Sequence, residues 1–390
     1  MTHMLEKILE NPKDKLAHLI REGQKANSLQ IEKLPIKDYE QVLKISDKDA
    51  GLLAIIAIHD TTLGPALGGI RIQPYETFNA ALEDALRLAK GMTYKSAVCD
   101  VGFGGGKSVI LADPRKGQKT PAMLRSFGSA VQQLAGAYIC AEDVGCTTED
   151  VKIIRESTQY VVGLAHEKSS GDPGPFTAWG TFRGIQATVK QIYGSDSLEG
   201  KTVAVQGLGN VGAVLCDYLF WAGARLILAD IDQAKAERLA RKYAGISVPV
   251  DQILQAECDI LAPCALGAIV NDQTIPAFRC RGIAGCANNQ LLQDSHGLLL
   301  KERGILYAPD FVINAGGLLN VSAELEENGY VPSWPRDKTH RIYDTLLAIY
   351  EIAERNEEST HNAACALADY RIKYQIGKRV YPPVFHHTVE

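Results

Sequence analysis

Residues 202–230 read "TVAVQGLGNVGAVLCDYLFWAGARLILAD", and few stretches narrow the choice of fold as far. Thr202–Gln206 is an apolar, β-branched strand. It runs into Gly207-Leu208-Gly209-Asn210-Val211-Gly212, a full G-x-G-x-x-G, then an apolar helix and a second strand, Leu226–Ala229, ending at Asp230. The order predicts the first half of a Rossmann unit, in which each part has a task. Gly207 permits the tight turn, Gly209 clears the way for a pyrophosphate, and Gly212 lets the helix pack on the strand. The pyrophosphate then rests on free N–H groups where Asn210 and Val211 open the helix. Asp230 is placed to accept hydrogen bonds from the adenosine ribose hydroxyls. Ile231 and Asp232 follow it, with Lys235 the nearby cation and no arginine set to meet a 2′-phosphate, so the spacing favours NAD over NADP. A lone G-x-G-x-x-G reads equally well as a glycine-rich turn. Here strand, fingerprint, helix, strand and acid fall in register.

The chain of 390 residues is long enough for two or three domains. Upstream of the fingerprint, "GLLAIIAIHDTT" carries a strand at Leu52–Ile58. Next comes a helix with Ala81, Leu82, Ala85, Leu86 and Ala89 on one stripe. "GFGGGKSVI" reads as a glycine loop leading into a short strand, Ser108–Leu111. A helix near Pro121–Leu134 and an N-cap at Thr147 or Thr148 complete an alternating α/β pattern. "EKSSGDPGPFTAWG" (167–180) reads as a linker before a helix at Thr177–Tyr193, and the last segment as two amphipathic helices.

The formal charge of −5, without a dense basic block, argues against a nucleic-acid partner. No apolar run is long enough for a membrane span, and the N-terminal "MTHMLEKILENPKDK" lacks a signal core, which leads us to expect a cytoplasmic protein. Nine cysteines include no C-x-x-C. Cys140/Cys146, Cys258/Cys264 and Cys280/Cys286 lie six apart, which is not a zinc spacing, so small buried thiols and no metal are expected.

"GGGKS" invites comparison with a phosphate-binding loop, G-x-x-x-x-G-K-[ST], but the position that needs its first glycine is Val101. Lys107 therefore has another use. With Lys95 in "GMTYKSA" and Asp143 in "AEDVG", it forms a candidate catalytic trio. A lysine desolvated beside another cation releases its proton more readily, and a carboxylate could exchange a proton with a reacting nitrogen. On this reading the glycines clear space for a small substrate around Lys107. Either lysine alone reads as a surface charge.

"GPALGGIR", "DALRLAKGMTYKSA", "GGGKSVI", "AEDVG", "VAVQGLGNVG", "DILAPCALGAIVN", "IAGCANNQL" and "YAPDFVINAGGLLNV" occur in this order. Together they resemble the Glu/Leu/Phe/Val amino-acid dehydrogenases, the leucine-type members most closely, from about Leu52 to the C-terminal helices. The resemblance implies NAD-dependent reversible oxidative deamination of an L-amino acid to a 2-oxo acid and ammonia. It implies an α/β fold of two domains around a cleft, an N-terminal substrate domain and a Rossmann-type, doubly wound NAD-binding domain. The corresponding boundaries are 1–168 for substrate binding and oligomerisation, joined by the C-terminal helices 352–390, and 169–351 for NAD binding. By the same resemblance Lys95 holds the substrate carboxylate, Lys107 is the catalytic lysine and Asp143 carries the proton. Gly68 and Gly69 offer backbone near the substrate, and Asn288 hydrogen-bonds near the nicotinamide and substrate. A homo-oligomer is implied, an octamer among leucine-type members.

The family's side-chain pocket corresponds here to Leu67, Ala141, Leu318 and Val321, all apolar, which disfavours glutamate because a second carboxylate would be buried unpaired. Ala141 matches the leucine-type pattern, where phenylalanine-type members carry glycine. Leu318 matches the phenylalanine type, where leucine-type members carry valine. "AIIAIHDTTLGPAL" is also similar to tryptophan-oxidising relatives. We expect L-leucine and other branched-chain amino acids as substrates, with a phenylalanine or tryptophan dehydrogenase as the alternative. Two readings outside the family stay open. A hydroxy-acid dehydrogenase needs a catalytic histidine beside an acid or arginine, a setting that His59 and His166 lack. A non-catalytic NAD-binding protein has no need of the three charged residues.

Overall fold

The structure, a computed structural model, describes residues 28–164, 169–265 and 267–386. The long N-terminal segment up to residue 27 lies outside the described residues. So do residues 165–168, with His166 and the start of the expected linker, and the final four residues.

The first sheet contains β1 (Leu29–Leu34), β2 (Gln41–Asp47), β3 (Leu52–Asp60), β4 (Ala66–Gln73), β5 (Gly104–Leu111) and β6 (Tyr138–Glu142), in the order β1-β2-β3-β5-β4-β6. Pairing is antiparallel from β1 through β5 and parallel for β5-β4-β6. Helix α1 (Phe78–Cys99) is capped by the Thr77 hydroxyl, which accepts the Ala80 N–H at 3.1 Å. It lays Ala81, Ala85 and Ala89 on Ile55, Ala57 and Val109 at one face of the sheet. Helices α2 (Pro121–Gln133) and α3 (Thr148–Arg155) cover the other face through Phe127, Val131, Val151 and Ile154. Thr147 and Asp150 form a capping box at the start of α3.

The glycine run is not a loop. Gly104–Gly106 open β5, a central strand between β3 and β4. A Cβ on Gly105 would stand 2.0 Å from the backbone nitrogen of Thr93 in α1. The glycines therefore let a helix and a neighbouring ring lie unusually close to the sheet; they do not make room for a substrate.

Helix α4 (Gly174–Tyr193) starts three residues before the expected position, which shortens the linker. Proline is well tolerated in a first helical turn, and Pro175 sits there. After it come β7 (Thr202–Gln206), α5 (Asn210–Trp221), β8 (Arg225–Ala229), α6 (Gln233–Lys242), β9 (Ile246–Ser247), β10 (Cys258–Pro263), β11 (Cys280–Ile283), α7 (His296–Glu302) and β12 (Leu306–Tyr307). All pairs are parallel, in the order β9-β8-β7-β10-β11-β12. This is the doubly wound Rossmann order, whose chain direction switches between β7 and β10.

The chain then forms α8 (Asp310–Ile313), α9 (Gly316–Ser322), α10 (Ser333–His340), α11 (Ile342–Arg355) and α12 (Thr360–Lys373). Helix α11 packs on α4, and α12 crosses back to α1. There Arg371 donates to the carbonyls of Ala97 and Val98 at 3.0 and 2.8 Å, in the last turn of α1. Farther on, Arg379 donates its N–H to the Leu63 carbonyl and its guanidinium to Glu326. The C-terminal segment thus ties the two halves together.

Candidate active site

A cleft of about 640 Å³ separates the halves. It is lined by Leu67, Gly68, Gly69, Lys95, Lys107, Ala141 and Asp143 from the first half, and by Gly209, Asn210, Val211, Asn288, Leu318 and Val321 from the second. Gly207, Gly212 and Asp230 are not in its wall. Among the described residues no helix is long and apolar enough to cross a membrane, and no group of three or more His, Cys, Asp or Glu is arranged to hold a metal.

Lys107, directly after the three glycines that open β5, is 5% exposed, and its Nζ lies 2.9 Å from Asp143 Oδ2. Burial pushes the Lys107 amine below its ordinary value, against the pull of Asp143. Burial works the other way on Asp143, yet the charges of Lys107 and Arg71 hold its carboxyl below the usual carboxylate range. Arg71 completes a chain of charges. Its Nε is 3.1 Å from Asp143, and its Nη1 is 2.9 Å from Asp84, which also accepts from the Tyr75 hydroxyl at 2.7 Å. Lys95, on α1, is lowered by burial and held up by Asp310. Gly69 is where close approach matters: a Cβ there would come within 2.7 Å of Asp143 Cβ and 3.1 Å of Lys107 Nζ.

Sequence reasoning missed Arg71 as a site residue. Its signal was an arginine in an otherwise apolar strand, "ALGGIRIQ", where an unpaired charge would be costly. It also missed Asn314, whose Nδ2 donates to the Cys286 carbonyl at 3.1 Å and to Asn288 Oδ1 at 2.7 Å. His59 hydrogen-bonds Thr93 and packs edge-on against Tyr39, away from the cleft wall.

On the other wall Gly207 has φ of +92°, and a Cβ on it would press within 2.6 Å of Ala265. Gly209 faces open space and caps α5 without a side-chain hydrogen bond, leaving the first N–H groups of that helix available. Asp230 accepts the N–H groups of Leu208 at 2.6 Å and Asp232 at 2.9 Å. A carboxylate has room for further donors. Asn314 Oδ1 is buried without a partner at the cleft. An open glycine cradle, free helix N–H groups, an acid with spare acceptor capacity and an unanswered buried amide oxygen fit a dinucleotide.

A family model described as Glu/Leu/Phe/Val dehydrogenase, dimerisation domain, matches residues 39–160, and Glutamate/Leucine/Phenylalanine/Valine dehydrogenase matches residues 227–374. Leucine dehydrogenase of Bacillus cereus is 52% identical over 86% of this chain and 91% of its own. The chain belongs to the Glu/Leu/Phe/Val dehydrogenase family. Phenylalanine dehydrogenase of Caldalkalibacillus thermarum is 45% identical over 87% of this chain and 92% of its own. The crystal structure of L-tryptophan dehydrogenase from Nostoc punctiforme superposes with a TM-score of 0.77 at 46% identity, covering 87% of this chain and 97% of the other. Glu/Leu/Phe/Val dehydrogenases are NAD(P)-dependent oxidoreductases, and the two-domain α/β fold, the doubly wound sheet and the amino-acid dehydrogenase class all agree with the sequence reading.

Proposed function

We propose that this protein is an NAD-dependent leucine dehydrogenase, which reversibly deaminates L-leucine and other branched-chain L-amino acids to 2-oxo acids and ammonia. The observation that carries the reading is the buried Lys107–Asp143 pair, 2.9 Å apart, facing a glycine fingerprint across one cleft. Gly207, Gly209, Asn210, Val211, Gly212, Asp230 and Asn288 would hold the dinucleotide. When bound it supplies the acceptor for the substrate's Cα hydride.

Lys95 holds the α-carboxylate as a cation. Lys107, whose burial favours the neutral amine, takes a proton from water and in reverse polarises the carbonyl. Asp143, kept ionised by Lys107 and Arg71, carries protons to and from the amino nitrogen. Leu67, Ala141, Leu318 and Val321 enclose the side chain in apolar surface. Asp230 and Asp232, with the 94% exposed Ile231 between them, would repel a 2′-phosphate, which supports NAD over NADP. We also infer a cytoplasmic homo-oligomer. Nine free thiols suit a reducing compartment, and Tyr370, Tyr374, Val380 and Tyr381 form an exposed apolar stretch near the C-terminus. The octamer implied by the family resemblance is checked by light scattering.

The deciding experiment is initial-rate NADH formation at alkaline pH with a panel of L-amino acids. Leucine, valine and isoleucine lead on this proposal. A lead by phenylalanine or tryptophan moves the substrate and keeps the chemistry, and no turnover with any of them removes the enzymatic reading.

A further inference from the structure

Two cysteines that no part of the proposed reaction uses meet just past the C-terminal ends of β10 and β11, next to the switch point of the parallel sheet. Strands β10 and β11 pair with Cys258 opposite Cys280, Ile260 opposite Gly282 and Leu261 opposite Ile283. Past the end of β10 the register slips by one residue, and the peptide unit that leads into Cys264 bonds the one that follows Cys286. Backbone bonds from Ala284 N–H to the Leu261 carbonyl and from Ala287 N–H to the Pro263 carbonyl, both 2.9 Å, keep the two segments together past the end of β10. Both residues line the cleft, both are free, and their thiols hydrogen-bond each other. Neighbouring strands run about 4.8 Å apart, inside the roughly 4.4–6.8 Å between Cα atoms that a disulfide spans.

We propose that Cys264 and Cys286 are a dithiol modification site, oxidised to an intramolecular disulfide by peroxide and covered by the bound dinucleotide. The hydrogen bond from Cys286 lowers the Cys264 thiol and raises that of Cys286, which makes Cys264 the attacking sulfur. Its thiolate attacks one peroxide oxygen and the O–O bond breaks. A sulfenic acid forms, and the departing hydroxide takes up a proton to become water. The Cys286 sulfur then attacks the sulfenic sulfur, and the S–O bond breaks. The hydroxyl leaves as water with the Cys286 proton. Two electrons pass from the sulfurs to peroxide, and two thiols and one peroxide give one disulfide and two waters.

The site sits where closure would be felt. Cys264 Cβ lies 3.4 Å from where a Cβ on Gly212 would be, beside the glycine turn, and the Cys286 carbonyl accepts from Asn314, which also holds Asn288. Drawing the sulfurs to about 2.05 Å pulls on both arms of the cleft at once. The covering rests on the cleft being the dinucleotide site, as proposed above; the disulfide itself does not.

The test treats the full-length protein with hydrogen peroxide and maps its peptides by mass. The expected result is a Cys264–Cys286 cross-linked peptide, reversed by dithiothreitol and absent from Cys286→Ser and Cys264→Ser. NADH binding, read by fluorescence, weakens in the oxidised protein and returns on reduction. NAD at about ten times its Kd leaves roughly a tenth of the sites open and slows cross-linking about tenfold. Separate sulfinic or sulfonic acids at the two positions, or a cross-link between other cysteines, overturn the proposal. A cross-link that forms at the same rate with saturating NAD overturns the covering. If the reduced protein binds no NADH but the cross-link still forms, the cofactor reading fails and the dithiol stands.

Discussion

On the wall of the cleft built by the first sheet, Lys107, Asp143, Arg71 and Asp84 already satisfy one another in a continuous chain of contacts between 2.9 and 3.1 Å. On the wall built by the second, the start of α5 has no side-chain cap and Asn314 Oδ1 is buried with no partner. The difference separates two kinds of construction. Ions buried together must be neutralised by the fold itself, because a desolvated charge left alone costs several kcal/mol. Neutral donors and acceptors cost less to leave open, so a wall that awaits a ligand can be built from them. Substitutions in the first wall should therefore disturb chemistry and stability together, and those in the second should disturb binding alone.

The largest effects test that division directly. Lys107→Ala leaves Asp143 paired with Arg71, so the fold survives. Turnover falls by about 10²–10⁴, the usual contribution of a proton-transferring group, while NADH binding stays within about twofold. Asp143→Ala strands Lys107, leaves Arg71 with Asp84 alone and loses turnover as well, and it also lowers the thermal midpoint well below that of Lys107→Ala. Equal midpoints for the two variants would show that the charges are not acting as one unit.

A pH profile sharpens the same point. Burial favours neutral Lys107, so the limb on which it loses its proton lies below the ordinary 10.5. For leucine deamination, kcat/KM should rise about tenfold per pH unit and level off before that value. A limb still climbing at pH 10.5 assigns the proton elsewhere. Asp143 has the opposite sign. Its folded carboxyl is depressed, so its stabilisation is complete above the unfolded value near 3.9 and is lost as pH falls through the folded one. Asp143→Asn should flatten that acid limb of a stability-against-pH curve.

The half that carries the second wall is probed by Asp230→Ala, behind the glycine turn. Loss of a charged acceptor is worth about 1.5–3 kcal/mol, which raises the Kd for NAD roughly 10- to 100-fold, with kcat at saturating NAD little changed. A matching fall in kcat would mean that the two walls are coupled more tightly than their contacts suggest.

The two walls were also unequally legible. The glycine fingerprint and Asp230 are local, so strand, turn and helix follow one another within 30 residues and the Rossmann order could be read outright. The first wall depends on pairs far apart in sequence: Arg71 with Asp143, and α12 with α1. No periodicity announces such pairs, and Arg71 went unassigned. The run Gly104–Gly106 misled for the same reason. Glycine marks a turn when only neighbours are considered, but here it answers Thr93, which the fold brings against the strand from another element. Cys264 and Cys286 show the converse. The six-residue spacings that argued against a metal become, across two parallel strands, Cys258 facing Cys280 and, past the strand ends, Cys264 beside Cys286.

The smallest effects concern the side-chain pocket, where both walls meet. Ala141 is the next-to-last residue of β6 in the first half, and Leu318 lies on α9 in the second, 8% exposed. A methylene in such a pocket is worth about 1–3 kcal/mol, so neither residue alone should exclude a substrate. Ala141→Gly enlarges the pocket where strand backbone holds its shape, and it should raise phenylalanine over leucine in kcat/KM by about tenfold. Leu318→Val opens the opposite side by one carbon. A short helix can shift to fill part of that space, so its effect should be a few-fold at most. If Leu318→Val produces the larger change, the helix is the stiffer side of the pocket, and specificity is set by the half that also carries the cofactor.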